Sequence, residues 1–526
     1  MSTNVPSEPE YLQPGSGPAE SGEPPTPGRG RRSGLVAGAA VAVVAAVGVG
    51  AYGVVQLMAG GGSPATAVPA DAVGYVSLDL DPSASQKVEA FKILRKFPAV
   101  KKELGSRDDL RKAVFDAIRE SGDCKGLDYA RDIEPWIGDR IALAAVPDSK
   151  QGAVPLVVLQ VRDQAKAEAG ARKLEACSSG PDLPAAERSG YAFVGDYLLV
   201  AETQGRADAM AEDAEASALA DSAEFTAAMD RTGDPGIVTM FASEDAPAAI
   251  MKASDAGSGQ VTSTFEDFQG VAGVVRFADG AVEAEFTAKG LPAGVGGVSS
   301  DGGPDVGTLP GTTAAALSVA FREGWLEDYL EQMNDTLGGG RTLDETFAEG
   351  ERATGLQLPE DIETLLGRGV TVSVDGRADL HALTESPDPS QVPAGIRIYG
   401  DPAKIIPIID KLKASAGPQS DLVTVASGDG LVTVGLDRAY VDSLLEKGDL
   451  GNVAAFEDVV PGAGRATGTF YVNFDAGDGW AKQLADLLSD GDAAVRSNIA
   501  PLDALGVSGW VDDDEVQHGL LRLTTD

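Results

Sequence analysis

Histidine is nearly missing from this chain: His381 and His518 are the only two in 526 residues. Schemes that pass a proton through imidazole, and metal sites built on several imidazoles, therefore have almost nothing to draw on. Positive charge is also scarce. Lys and Arg number 42 against 81 Asp and Glu, a formal net charge of -39. Such a surface repels a phosphate backbone, because nucleic-acid binding rests on cations displacing counterions, so DNA and RNA are excluded as partners. Aromatics make up 6% of the residues without clustering, which leaves few stacking platforms for a sugar. Beyond the first 60 residues there is no G-x-S-x-G, H-E-x-x-H, P-loop or C-x-x-C pattern. The acidic runs at Asp490 and Asp512 lack the ligand spacing of an EF-hand and read as solvated turns. No catalytic residue, cofactor or metal site is expected. His518, two residues from both Val516 and Leu520, shares a strand face with them and reads as a satisfied histidine at a core edge.

One long apolar run is present. Residues 34–58, "GLVAGAAVAVVAAVGVGAYGVVQLM", carry no charge and are long enough to cross a bilayer with some tilt. Arg29, Arg31 and Arg32 precede the run, and the next basic residue is Lys87. By the positive-inside rule the N-terminus stays in the cytoplasm and the remainder lies outside, at the cell membrane. "GVGAYG" inside the run formally matches a dinucleotide fingerprint but has no strand before it, so it carries no such meaning. Residues 1–33 are rich in Pro, Gly, Ser and Glu, cannot offset ordering entropy by burial, and read as a disordered cytoplasmic tail. Residues 59–67 read as a linker.

After the run the chain repeats itself. "GLDYARDIEPWIGDRIALAAV" from Gly126 and "GLQLPEDIETLLGRGVTVSVD" from Gly355 align with Asp132 on Asp361 and Gly138 on Gly367. "RDQAKAEAGARKLEA" from Arg162 aligns with "GDPAKIIPIIDKLKA" from Gly400, setting Lys166 on Lys404 and Lys173 on Lys411. Further echoes keep the same order, among them "VPADAVGYVSLDLDP" with "LPGTTAAALSVAFRE", and "AVEAEF" at Ala281 with "EVQHGL" at Glu515. This is the signature of an internal duplication. Repeat one spans 68–290, repeat two spans 308–526, and the Gly-rich stretch 291–307 links them.

Within each repeat, runs such as "YVSLDL", "RIALAAV" and "LVVLQV" alternate as strands do, and "YAFVGDYLLVA" reads as a hairpin. "QKVEAFKILRKF" places apolar groups at helical spacing. The expected fold is α+β: two tandem homologous repeats of mainly antiparallel sheet with packed helices, preceded by one transmembrane helix. In the repeated phrase, Trp136 and Ile137 should be buried and Gly138 should form a left-handed cap. Asp132 and Glu134, two apart on a helix, diverge too far to act as an acid–base pair, so the phrase reads as structural.

The basic-flanked Ala/Gly/Val run, "AVPADAVGYVSLDLDP", "DIEPWIG" and "LPEDIETLLG" together resemble an actinobacterial family of membrane-anchored proteins with a duplicated domain of unknown function. The resemblance covers roughly residues 30 to 526. It implies a location in the cell envelope and brings no catalytic residues.

One local island departs from the overall charge. Between Lys87 and Lys112 the cations include Lys92, Arg95, Lys96, Lys101 and Lys102. These could face anionic lipid headgroups, each contributing ~1 kcal/mol, or pair with the acidic remainder of their own domain. The expected function is a non-catalytic binding or scaffold module that takes a lipid, a wall polymer or a protein. The alternative is a carboxylate-based extracytoplasmic hydrolase, since Asp and Glu are plentiful. Cys124 and Cys177 both lie outside the cytoplasm in this reading and are expected to form a disulfide, which would contribute about 4 kcal/mol by loop closure. A thiol assay on the denatured, unreduced chain should find no free cysteine; two titratable thiols would remove the bond.

Overall fold

A computed structural model describes residues 63–80, 84–98, 127–179, 184, 188–253, 267–291, 303–327, 329–330, 343–379, 392–477, 480, 483, 485–486 and 492–526. The first half supplies β1 (Gly74–Asp79), β2 (Ile137–Asp148), β3 (Gly152–Val161), β4 (Gly190–Val194), β5 (Tyr197–Ala201), β6 (Val238–Ala242), β7 (Val271–Ala278) and β8 (Ala281–Lys289). The second supplies β9 (Thr313–Ala320), β10 (Gly369–Asp375), β11 (Ala394–Tyr399), β12 (Thr424–Gly428), β13 (Leu431–Gly435), β14 (Gly468–Asn473), β15 (Leu502–Val511) and β16 (Val516–Thr525).

All sixteen join one sheet, in the order β12-β13-β11-β10-β9-β14-β15-β16-β8-β7-β6-β1-β2-β3-β5-β4. Read inward from either edge, the order of the two halves is the same. β8 and β16 occupy corresponding places and pair antiparallel from Val516↔Lys289 to Thr524↔Ala281. Corresponding edges meeting antiparallel are related by a local two-fold, as in an isologous interface. The pairing also removes two open edges that would otherwise template aggregation. Strand boundaries follow turn chemistry. The hairpin β4–β5, for example, closes through Gly195-Asp196, with Gly195 at φ 52°.

Side chains cross the sheet to two faces. On the Tyr75 face, the first half packs Tyr75, Leu156, Val158 and Leu199 beneath α3 (Gln204–Ala216; α1 is Ala84–Leu94 and α2 is Gln164–Ser179). Phe225 meets Tyr75 and Phe241 edge-on, with ring centroids 5.7 and 5.2 Å apart. The second half packs Ala316, Tyr471, Tyr440 and Phe456 on the same face. On the other face, α1 buries Ala90, Ile93 and Leu94 against Phe277 and Val282. There α2 buries Ala167 and Ala171 against Trp136 and Leu198. In the second half, Ile405 and Ile409 of α5 (Pro402–Ala416; α4 is Glu360–Leu366) cover Ile398 and Val432. Asp401 starts α5 by accepting from the Ala403 N–H at 2.9 Å.

The expected fold is corrected here. Tandem repeats led by a membrane helix give way to one large antiparallel sheet carrying helices on its faces. Among the described residues no helix is long and apolar enough to cross a membrane. These helices are short because each covers only a few strands; α2, with 16 residues, is an example. Residues 34–58 lie outside the described residues.

Where the halves meet, the Tyr75 face carries a charged row. Arg276 on β7, Glu283 on β8 and Arg522 on β16 are direct cross-strand neighbours. Arg276 Nε donates to Glu283 Oε1 at 2.6 Å and Arg522 Nη1 donates to Glu283 Oε2 at 2.5 Å. Arg276 also pairs with Glu285. Glu283 is buried, so removing it strands the desolvated Arg522 guanidinium and leaves Arg276 to Glu285 and the Thr232 and Asp234 carbonyls. Glu283→Ala is expected to lower unfolding free energy by about 3–5 kcal/mol in a denaturant titration, whereas the exposed Lys92→Ala should be near neutral.

Candidate functional site

The repeated phrase makes the same clamp in both halves. Asp132 sits in a π-helical turn, Tyr129–Ile133, and accepts from the Asp128 N–H at 3.0 Å and from Lys173 Nζ on α2 at 2.6 Å. Asp361 accepts from the Gln357 N–H at 2.8 Å and from Lys411 Nζ on α5 at 3.2 Å. Each aspartate thus ties the turn ahead of a strand to the helix that packs over it. Arg131 adds a second cation in the first half, donating to Asp132 at 3.0 and 2.7 Å. Arg131, then Lys173, then the Asp128 N–H hold the Asp132 carboxyl well below its ordinary 3.8. Trp136 is buried as expected and donates from Nε1 to the Asp132 carbonyl at 2.6 Å. Gly170 lets α2 approach: a Cβ there would lie 2.3 Å from Trp136 Nε1. The expected cap is corrected: Gly138 takes no positive φ and starts β2, where a Cβ would meet the Gln160 side chain at 2.7 Å. Its counterpart Gly367 has the positive φ, 54°, and ends α4.

The other expected sites fall as follows. Lys92 on α1 pairs with Glu89 at 2.7 Å; in the turn after α1, Arg95 lies 5.8 Å over the Phe91 ring and Lys96 donates to the Thr525 carbonyl and hydroxyl at 2.8 and 2.9 Å. Lys101, Lys102, Cys124 and His381 lie outside the described residues, and so does the Cys124–Cys177 bond. His518 stacks on Trp510 at 5.0 Å, with Nε2 3.0 Å from Asp512. Asp512 also closes its turn, accepting from the Asp514 and Val516 N–H groups at 3.0 and 2.9 Å. Asp475, Asp503 and Asp526 bring three carboxylates together, and burial followed by its two neighbours raises Asp475. Asp305 and Asp449, in a cavity of about 450 Å³, accept from the Gly307 and Gly311 N–H groups at 3.0 and 2.9 Å.

The unusual surface is the face opposite Tyr75 in the second half. Ile396, Val372, Leu317 and Phe470 are direct cross-strand neighbours on β11, β10, β9 and β14. They are 36%, 41%, 51% and 38% exposed. Beside the core residues Ala316 and Tyr471, the inward positions flanking this row include buried polar groups: Arg397, Thr371, Ser373, Ser318 and Thr469. Ser318, Thr371, Ser373 and Arg397 are hydrogen-bonded. Ser318 and Thr371 share a hydrogen bond of 2.8 Å, and Tyr440 donates to Ser373 at 2.9 Å. Arg397 donates to the carbonyls of Leu444, Thr308 and Glu446 at 2.7 to 3.1 Å. Four adjacent strands thus bury hydroxyls and a guanidinium while presenting Ile, Val, Leu and Phe outward. A sheet that serves only stability has the reverse arrangement, and contiguous exposed apolar patches mark binding surfaces. The row continues through half-buried Val507 and Leu521 toward the junction.

Sequence reading passed over this row. "ALSVA" and "VTVSVD" do alternate, but a two-residue period marks two faces without saying which one a helix covers.

Residues 36–374 match the family model described as Protein of unknown function (DUF3352). The chain belongs to this family. The matched stretch takes in β1 through β9 and all but the last residue of β10 of the DUF3352 chain. No curated protein and no solved structure matches it.

Because pairing lowers the folded Asp132 carboxyl, its contribution is present above pH 3.8 and fades as pH falls below that value. Asp132→Asn should therefore lower the melting temperature at pH 7, with the gap to the parent beginning to narrow below pH 3.8 and still open at pH 3.

Proposed function

We propose that the chain is a non-catalytic cell-envelope protein that binds an acyl-chain lipid on the open apolar face of its second half. The observation that carries this reading is the outward row Ile396–Val372–Leu317–Phe470 backed by buried polar groups. Three inter-strand spacings make the row about 14 Å long. One leaflet of a bilayer's hydrocarbon core, the span of one acyl chain, is about 15 Å. The row offers dispersion contact and removal from water, without a hydrogen-bond donor to select a polar ligand.

Helix α1 supports the same reading. It lies on this face over β7 and β8, and Lys96 reaches across to Thr525 on β16. Lys92 and Arg95 lie within a turn of it, and Val88 and Phe91 are exposed beside them. In a chain of this acidity, a helix presenting cations and apolar groups together suits a lipid headgroup region. We infer further that the two halves arose by duplication and that the second was released from purely structural packing; the shared strand order and the recurring Asp–Lys clamp support this.

Titration with a fluorescent fatty acid tests the proposal. The parent chain should bind saturably, and Leu317→Asp and Phe470→Asp should each weaken binding about tenfold or more. Both side chains are exposed, so the melting temperature should hold. Unchanged affinity would overturn the reading. So would a change in oligomeric state without a change in affinity, since the face would then be an interface between copies.

A further inference from the structure

The two halves differ at one corner in a way that creates a site. In the first half, Arg162 donates to the Asp139 carboxylate, and Gln160 Oε1 accepts from the Asp139 N–H at 3.0 Å. The corner is closed by its own ion pair. The repeat that sets Gly138 on Gly367 puts Arg368 where Asp139 stands, and the one that sets Lys166 on Lys404 puts Gly400 where Arg162 stands. The acid has become a cation and its partner has lost its side chain. A cavity of about 530 Å³ opens there, lined by Arg368, Lys404 and the backbones of Gly367, Gly400 and Gly430. That volume lies in the range of small-molecule sites.

The charges at this corner favour an anion. Neither the Arg368 guanidinium nor the Lys404 ammonium pairs with a carboxylate among the described residues. This is notable in a chain where acids outnumber bases 81 to 42. Asp401 and Asp429 also line the cavity. Asp401 is occupied at the start of α5, where it accepts from the Ala403 N–H, which leaves Asp429 against two cations. We propose that this corner binds a small molecule through a phosphate or carboxylate group, with Arg368 presenting a planar fork of donors and Lys404 a mobile point charge. The site is separate from the apolar row. Ile398, between Ile396 on β11 and Gly400 just past the end of that strand, is packed beneath Ile405 and Ile409 of α5.

Isothermal titration of the full chain with inorganic phosphate tests the site. The parent should bind one equivalent, and Arg368→Ala and Lys404→Ala should each weaken binding about tenfold, as loss of one charge-assisted contact does. Both residues are exposed, so these variants should fold. The double variant Arg368→Asp with Gly400→Arg rebuilds the closed corner of the first half and should abolish binding. Gly400 takes no positive φ, and a Cβ there meets only the Ile405 Cδ1, at 2.8 Å, and more distant atoms, so a melting curve serves as the folding control. Leu317→Asp should leave phosphate binding untouched, which separates this site from the lipid reading. Absence of binding in the parent, or binding that survives both single substitutions, overturns the proposal.

Discussion

The structure depends on the pairing of β8 with β16. Each strand ends the ladder of its own half, and each would otherwise present an unpaired row of N–H and C=O groups. Their antiparallel union makes a single sixteen-stranded body. Glu283 then fixes its register by holding Arg276 from its own half and Arg522 from the other. A slip by one residue between β8 and β16 would put Arg522 on the face opposite Glu283 while leaving the Arg276 pair of the first half in place. A buried ion pair is a poor source of net stability but a strong selector among alternative pairings, and the junction uses it in that way.

With the junction made, the two halves carry the same strand order and use the same aspartate–lysine clamp to seat a helix. What they do with their exposed surface differs. In the first half, α1 and α2 cover the face opposite Tyr75, and an Asp–Arg pair closes the corner near Gly138. In the second, Leu317 and its neighbours stand outward and the corner is open. One half is organised as a packed core, and the other keeps that scaffold while leaving apolar and cationic groups in contact with solvent.

The strands, their alternation and the burial of Trp136 were legible from residue periodicity. Periodicity depends only on local backbone geometry, so it survives without knowledge of neighbours. It could not say that "AVEAEF" and "EVQHGL", recognised as echoes of one another, would become hydrogen-bonded partners. It also misplaced the left-handed glycine: Gly138 and Gly367 align, yet only Gly367 follows a helix that ends in a positive φ, while Gly138 makes room for Gln160.

By itself the sequence determined composition, charge and element type: an acidic chain, poor in imidazole, of short strands and amphipathic helices. Only the tertiary structure decided which side of each strand meets solvent. "VTVSVD" alternates equally well either way up; the covering helices and the buried partners of Thr371 and Ser373 turn its hydroxyls inward and Val372 outward. Alternation is a property of one strand, whereas inside and outside belong to the packed whole, and the proposed lipid surface exists only at that level.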